Sequence, residues 1–467
     1  MTTLIGGEML LWSDTAPAVL LPSLLSRTPG RTLVAGPHEP SSLPAGVTVL
    51  VRGVPDAQAL AAARPDVTVL CGSLEKLATL PAYDTVVALD GLDRLLSAEA
   101  DPRSWDETLS LLLAVLAPGG RLLLGMENLF GVHRLTALPK SPADSEWVVP
   151  DDHDPQRPAG HAALLARLTG AGLHIARDYA AYPSLTAPTV LLGAEIRTDP
   201  ALAGVVEAAV ASALRPPCDV LVDPVRLATG AVRNGLTAAL APAWIVIAGH
   251  DAADTPDAVL DSKPVLLPAT DLPRGRTLQS LLLATAQRRD LPTMRELLTA
   301  WQTGPTAGVP ADRVVVSEPS LDLVALAPAA EALTALRAFA AAAIAGGYAH
   351  LWPIPADEAE LTAVLAGMTG RELEPGDVPP ADRPTSHAVG DLLAERDRLT
   401  RELAQAKAKH DWYEHMLGYR EAELKRVRQM NALLSATVPG KAATSLVGGL
   451  RAGKRAMRSV VRRTRGN

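Results

Sequence analysis

Five short apolar runs separated by helix-like segments constrain this chain more than any other feature. RTLVAG (31–36), VTVLV (47–51), VTVLC (67–71), YDTVVALD (83–90) and GRLLLGM (120–126) are β-branched or Leu-rich. Such continuous runs are characteristic of parallel strands buried on both faces. Between them, Pro55 to Arg64 and Trp105 to Leu116 carry helical patterns. Strands that alternate with helices predict a doubly wound α/β sheet. Ligands of such sheets sit beyond the carboxyl ends of the strands, so the residues just after each run are the first candidates for a site.

The alternation continues through HAALLARLTGAGLHIARDYAAYP (161–183), a helix stopped by Gly170 and Gly172 and then a strand. PTVLLGAEI (188–196) follows and is expected to close the sheet at its edge, which gives a first domain over 1–198. Residues 199–375 hold strand-like WIVIAG (244–249) and RVVVSE (313–318) and helical stretches Thr277 to Arg288 and Thr293 to Trp301. They predict a second α/β or α+β domain. A Pro-, Asp- and Gly-rich linker at 376–386 leads into 387–436, where a heptad frame fits. Its a positions are Val389, Arg396, Leu403, His410, Leu417, Leu424 and Asn431, and its d positions are Leu392, Leu399, Ala406, Tyr413, Arg420, Val427 and Leu434. Most are apolar and their surroundings charged, so a C-terminal coiled coil is expected, paired with itself or with a partner helix. The alternative is one long solvated helix.

Charge separates the end from the rest. The net charge is −7, yet Lys441 to Asn467 holds eight Lys or Arg and no acid, which leaves −15 for what precedes it. Within 440–467, Leu446, Leu450, Met457, Val460 and Val461 fall along one helical face with basic residues on the others. A basic amphipathic tail of this kind suits an anionic membrane surface. Aromatic residues are 3% of the chain, too few for base-stacking platforms, so nucleic acid is not an expected partner. The two cysteines, Cys71 and Cys218, lie far apart and have no CxxC or His-paired spacing, so neither a disulfide framework nor a zinc site is expected. The N-terminus lacks a basic region before its apolar stretch, and the most apolar segment, Ala338 to Ala356, is broken by His350, Pro353 and Pro355. These features predict a cytoplasmic protein, peripheral on the inner face of the membrane if the tail binds there.

The run YDTVVALDGLDRLLS, a helix, and LAPGGRLLLGMENLFGVHRL resemble the fourth strand, following helix and fifth strand of class I S-adenosylmethionine-dependent methyltransferases. They are similar in particular to bacterial methyltransferases associated with surface polysaccharides, whose fifth strand ends in Glu-Asn-x-Phe-Gly, here Glu127, Asn128, Leu129, Phe130 and Gly131. AAYPSLTAPTVLL (180–192) resembles that group's Tyr-Pro segment. The resemblance spans about residues 30 to 195. It implies a Rossmann-like sheet, S-adenosylmethionine as cofactor, a sugar or glycan precursor as substrate, and Glu127 and Asn128 on the substrate side.

By the same resemblance Ala35 and Gly36 after strand one, Val51 after strand two, Ser73 and Leu74 after strand three, and Asp90 after strand four are the cofactor-binding positions. The chain departs from the family at two of them. VAGPHEPSSLP (34–44) retains one glycine of the Gly-rich loop, and Pro37 removes a backbone donor. Val51 and Arg52 stand where an acid would accept from the ribose hydroxyls. Methyl transfer asks chiefly for orientation, and an O-methylation adds a general base, for which His133, Asp152 and His153 are candidates. PDDHDP (150–155) lacks further spaced ligands for a metal. AGHDAADTP (248–256) lacks the metal-binding Asn of a phosphotransferase. Two functions remain: a methyltransferase for a glycan precursor, or a non-catalytic scaffold of the same fold that dimerises through its coil and organises glycan-assembly enzymes. A sensor using the altered cleft is a third.

Overall fold

The computed structural model of the chain describes residues 2–6, 24–25, 30–36, 38–79, 83–92, 95–96, 101–137, 154–214, 220, 222–249, 258–260, 263–267, 272–317, 320–345, 348, 351–352, 357–374, 376, 378, 387–436, 446–455 and 457. The chain forms two compact units, Met1–Ser386 and His387–Asn467.

The strands of the first unit are β1 (Thr2–Gly6), β2 (Thr32–Ala35), β3 (Thr48–Val51), β4 (Thr68–Gly72), β5 (Tyr83–Ala88), β6 (Leu116–Glu127), β7 (Ile175–Tyr182), β8 (Val190–Gly193), β9 (Ala243–Ala248), β10 (Ala258–Leu260), β11 (Lys263–Leu267), β12 (Arg276–Thr277), β13 (Val314–Ser317) and β14 (Asp322–Ala325). The helices used below are α1 (Val54–Ala63), α2 (Trp105–Ala114), α3 (Val132–Thr136), α4 (His161–Gly170), α5 (Ala194–Thr198), α6 (Ala203–Ala213), α7 (Pro224–Arg233), α8 (Leu278–Arg288), α9 (Leu291–Thr303), α10 (Ala332–Ala345) and α11 (Glu358–Met368).

The first eleven strands make one sheet in the order β1-β4-β3-β2-β5-β6-β9-β7-β8-β10-β11. The strands from β1 to β6 in that order run parallel. Strand β9 is antiparallel to both β6 and β7, and β8, β10 and β11 continue antiparallel beyond. Because successive side chains of a strand point to opposite faces, each run divides between two cores. Leu33, Ala35, Val86, Leu122 and Leu124 pack on one face with Leu109 and Leu112 of α2 and Leu164 and Leu168 of α4. Val34, Val49, Val87 and Leu123 pack on the other with Ala57 and Leu60 of α1. Helix α2 starts where Ser104 and Glu107 form a capping box, with Ser104 N–H donating to Glu107 Oε2 at 2.8 Å and Glu107 N–H to Ser104 Oγ at 3.3 Å.

The structure corrects the sequence reading at the far side of the sheet. PTVLLGAEI does not close it. Only Val190–Gly193 is strand, and Ala194–Thr198 turns into α5, as Ala and Glu after a glycine favour. The strand inserted beside β6 is β9, the WIVIAG run, which lies beyond the expected boundary at 198/199. That boundary therefore parts residues of a single sheet, because β9, β10 and β11 complete what β2 to β8 begin. Residues 272 to 368 build a third core instead. There α8, α9, α10 and α11 pack Leu282, Trp301, Phe339 and Leu365 against Val314 and Val316 of β13 in the β12-β13-β14 sheet. Glu207 of α6 ties the two parts together, accepting from Arg233 Nε of α7 at 2.7 Å and from the Thr277 hydroxyl of β12 at 2.9 Å.

The second unit holds one 50-residue helix, α12 (His387–Ala436), followed by helical residues 446–455 in the tail. Among the described residues no helix is long and apolar enough to cross a membrane.

Candidate functional site

Strands β2, β3 and β4 spread to one side of the sheet and β5 and β6 to the other, so the strand order reverses between β2 and β5. The crevice outside the carboxyl ends at such a switch point is where doubly wound sheets take ligands. All six expected cofactor positions lie around it. Ala35 ends β2, and Gly36 follows at φ +106° with its N–H donating to Leu50 O at 3.0 Å. A Cβ there would meet only Leu95 Cδ2, at 3.7 Å, so backbone conformation rather than space demands the glycine. Val51 ends β3, Ser73 and Leu74 follow β4, and Asp90 follows β5. Ala35, Val51, Ser73, Leu74 and Asp90 are all buried.

What covers these positions includes the chain itself. The segment after β5 brings Leu95 over Gly36, and Arg52 Nη1 donates to Leu96 O at 3.0 Å. The guanidinium of Arg52 thus bridges the end of β3 to the segment that follows β5. It does so at the place where the resemblance expects a ribose-binding acid. Three of the four strand ends fit a nucleoside: a free-turning glycine after β2, a hydroxyl after β4 and a carboxylate after β5. The end of β3 departs, with a cation in place of an acceptor.

At the end of β6 the two polar residues of the ENLFG ending are engaged in the fold. Asn128 donates from Nδ2 to Ala239 O and Ala241 O, both at 2.8 Å, and its Oδ1 accepts from Phe130 N–H at 3.0 Å. Its own N–H donates to Pro242 O at 2.9 Å. Both amide hydrogens are used to hold the turn that leads into β9, so the expected substrate-side role does not describe how Asn128 sits. Glu127 is half-buried. Its Oε1 accepts from His133 Nε2 at 2.8 Å and Arg134 Nε at 2.9 Å, and its Oε2 from Arg134 Nη2 at 3.2 Å, fastening β6 to α3. Its carbonyl accepts from Arg157 Nη2 at 3.2 Å. The other nitrogen of the His133 ring, Nδ1, is buried without a hydrogen-bond partner among the described residues. With Nε2 on a carboxylate and Nδ1 enclosed, His133 positions Glu127 rather than presenting a base to the crevice. Asp152 and His153 lie outside the described residues.

The hydrogen bond from His133 is the main reason the Glu127 carboxyl is held down at about 2, with burial opposing it and Arg134 adding to it. A carboxylate with a lowered folded-state pKa stabilises the fold above its unfolded value, here 4.5, and loses that contribution as pH falls toward about 2. Discounted for partial exposure, the contribution is about 1–2 kcal/mol. Glu127→Gln is expected to lie below the native chain by that amount in denaturant unfolding at pH 7, with the gap closing between pH 4.5 and 2. A gap that stayed constant over that range would show that the charge contributes nothing.

No protein-family profile matches the sequence, and no curated protein matches it. Among solved structures, the chain is similar to a methyltransferase complex of Haloferax volcanii with the Trm112 activator, at 15% identity and a TM-score of 0.25, over 48% of this chain and 86% of that one. It is similar to the glycopeptide N-methyltransferase MtfA bound to S-adenosyl-L-homocysteine, at 14% identity and a TM-score of 0.23, over 52% and 94%. A Geobacter sulfurreducens S-adenosylmethionine-dependent methyltransferase with the same ligand matches at 14% identity and a TM-score of 0.22, over 53% and 92%. Superpositions this loose carry no weight for activity or ligand, and the fold assignment rests on strand order and direction. The chain carries a Rossmann-like doubly wound sheet, extended by antiparallel strands, with a buried carboxylate at its switch point.

Proposed function

We propose that this chain is an S-adenosylmethionine-dependent methyltransferase-fold protein acting on a sugar or cell-surface glycan precursor. The observation that carries the reading is the buried Asp90 carboxylate, set beyond β5 at the switch point, with Gly36 beyond the neighbouring β2 and Ser73 beyond β4, two strands further along the same sheet edge. Gly36 would admit the nucleoside close to the backbone, Ser73 would offer a hydroxyl to the base, and Asp90 would accept from its polar hydrogens. S-adenosylmethionine, when bound, supplies an electrophilic methyl group. In-line displacement from a sulfonium depends on orientation, so the chain's own task is to hold donor and acceptor in line and keep water out. The sugar substrate rests on the sequence resemblance of the ENLFG ending and the Tyr182–Pro183 segment alone, since Glu127 and Asn128 themselves are engaged in the fold.

A second reading, a non-catalytic scaffold of the same fold, is favoured by one observation. The Arg52 to Leu96 hydrogen bond draws chain over the place a nucleoside would take. Calorimetry with S-adenosylhomocysteine separates the two. Binding by the native chain is expected, weakened roughly ten- to hundredfold in Asp90→Asn through loss of a hydrogen bond to a charged acceptor. Arg52→Ala is expected to bind about threefold to tenfold more tightly, because the covered state no longer competes. If neither the native chain nor Arg52→Ala binds at millimolar ligand, the methyltransferase reading fails and the scaffold stands.

A further inference from the structure

Helix α12 carries a row of exposed large apolar side chains. Over its 50 residues, about 75 Å at the usual rise, the apolar residues recur at a and d positions. Leu403, Tyr413, Leu417, Leu424, Val427 and Leu434 are each more than half exposed. A stripe of that kind repeating every 3.5 residues is shaped for a second helix rather than a flat surface.

We propose that α12 pairs with the same helix of a second copy of this chain, parallel and in register. The flanking charges choose the orientation. In a parallel pair each g residue faces the e residue five positions on in the partner. That sets Glu402 against Lys407, Lys409 against Glu414, and Glu423 against Arg428, each twice by symmetry, with no like charges opposed between e and g, while in the core Arg396, His410 and Arg420 each meet their own copy. An antiparallel pair opposes e to e and g to g. Its best-matched register, with Lys407 on Glu421 and Lys409 on Glu423, also sets Glu414 on Glu414 and packs His410 against Arg420. Within the parallel core, Asn431 meets Asn431 at an a position, a layer that favours two strands in register. The Arg420 pair is relieved within each chain, where Arg420 Nη1 lies 3.6 Å from Glu423 Oε2. Parallel pairing also makes both basic segments from Lys441 to Asn467 leave the coil at one end. The inference does not rest on the methyltransferase reading.

The test uses the full chain. Light scattering at low micromolar concentration is expected to give the mass of two chains, and Leu417→Lys combined with Leu424→Lys to give one, raising the dissociation constant more than roughly hundredfold. Asn431→Cys is expected to form a covalent dimer on mild oxidation, with the native chain as the control for Cys71 and Cys218. A native chain of single mass would overturn the proposal, as would a dimer that survives the double Lys substitution. So would a dimer in which Asn431→Cys fails to link to itself and links instead to Leu399→Cys on a second chain, the contact of the antiparallel register.

Discussion

Gly125→Ala is expected to lose about 3–5 kcal/mol, a large share of the 5–15 kcal/mol that typically separates folded from unfolded states. Gly125 sits in β6 beside the segment that leaves β5. A Cβ built there would lie 2.0 Å from Leu89 O and 2.7 Å from Leu89 C, with Leu185 Cδ1 at 2.9 Å on another side. A side chain in the way can rotate, but a backbone carbonyl moves only with its strand. The protein must therefore either part β6 from β5 or push Leu89 outward, and Asp90 goes with it. Overpacking that forces backbone shifts is costly for this reason. Denaturant unfolding of the full chain would show the loss. Gly170→Ala is the matched control, since nothing lies within 4 Å of its Cβ at the end of α4, and it is expected to be neutral or stabilising by up to about 1 kcal/mol. Equal midpoints for Gly125→Ala and the native chain would mean that the close approach of Leu89 to β6 is not obligatory.

The parallel half of the sheet is legible in the sequence because its strands are short, continuous Leu and Val runs that alternate with helical patterns, as strands of a sheet covered on both faces do. The order around the switch point follows from connectivity. The antiparallel half is not legible in the same way. WIVIAG announces a buried strand, with all six residues of β9 enclosed, but a run buried on both faces carries no mark of which neighbours it will take. Its partners β6 and β7 are set by pairing across more than sixty residues, and local pattern does not encode that. The polar pair ending β6 was visible for the same reason as the strands, since polar residues at a carboxyl end stand out. Their partners were not. The carbonyls that Asn128 grips belong to residues 239 and 241, and Glu127 is held by residues six and seven positions further on, in α3. Arg52 shows in the sequence as a cation in an acid's place, while its grip on Leu96 needs the fold to bring residues 44 positions apart together.

Asn128→Ala is expected to cost about 2–4 kcal/mol, because it leaves the buried Ala241 carbonyl without a partner, worth about 1–3 kcal/mol when unsatisfied, and removes the part-buried bonds to Ala239 O and from Phe130 N–H. Ala241 and Asn128 are buried, so water does not readily replace the lost bonds at that carbonyl. The consequence is directional. Residues 239 to 242 carry the chain into β9, and β9 is the strand that joins β6 to β7 in the middle of the sheet. Loosening its start at Ala243, opposite Glu127, should open that pair first and spread along β9 toward the Ala248 end. Hydrogen exchange is the measurement that resolves this. Amides of β9 are expected to lose protection in Asn128→Ala while those of β2, β3 and β4 keep theirs at matched stability. Asn128→Asp separates geometry from bonding, since it keeps the acceptor for Phe130 N–H and removes both donors, so it should behave like the Ala variant. An Asp variant with native protection in β9 would show that the donors to Ala239 and Ala241 are dispensable, and that the turn before β9 is held by its other hydrogen bonds, from Asn128 N–H to Pro242 O, Val132 N–H to Leu240 O and Trp244 Nε1 to Ala238 O.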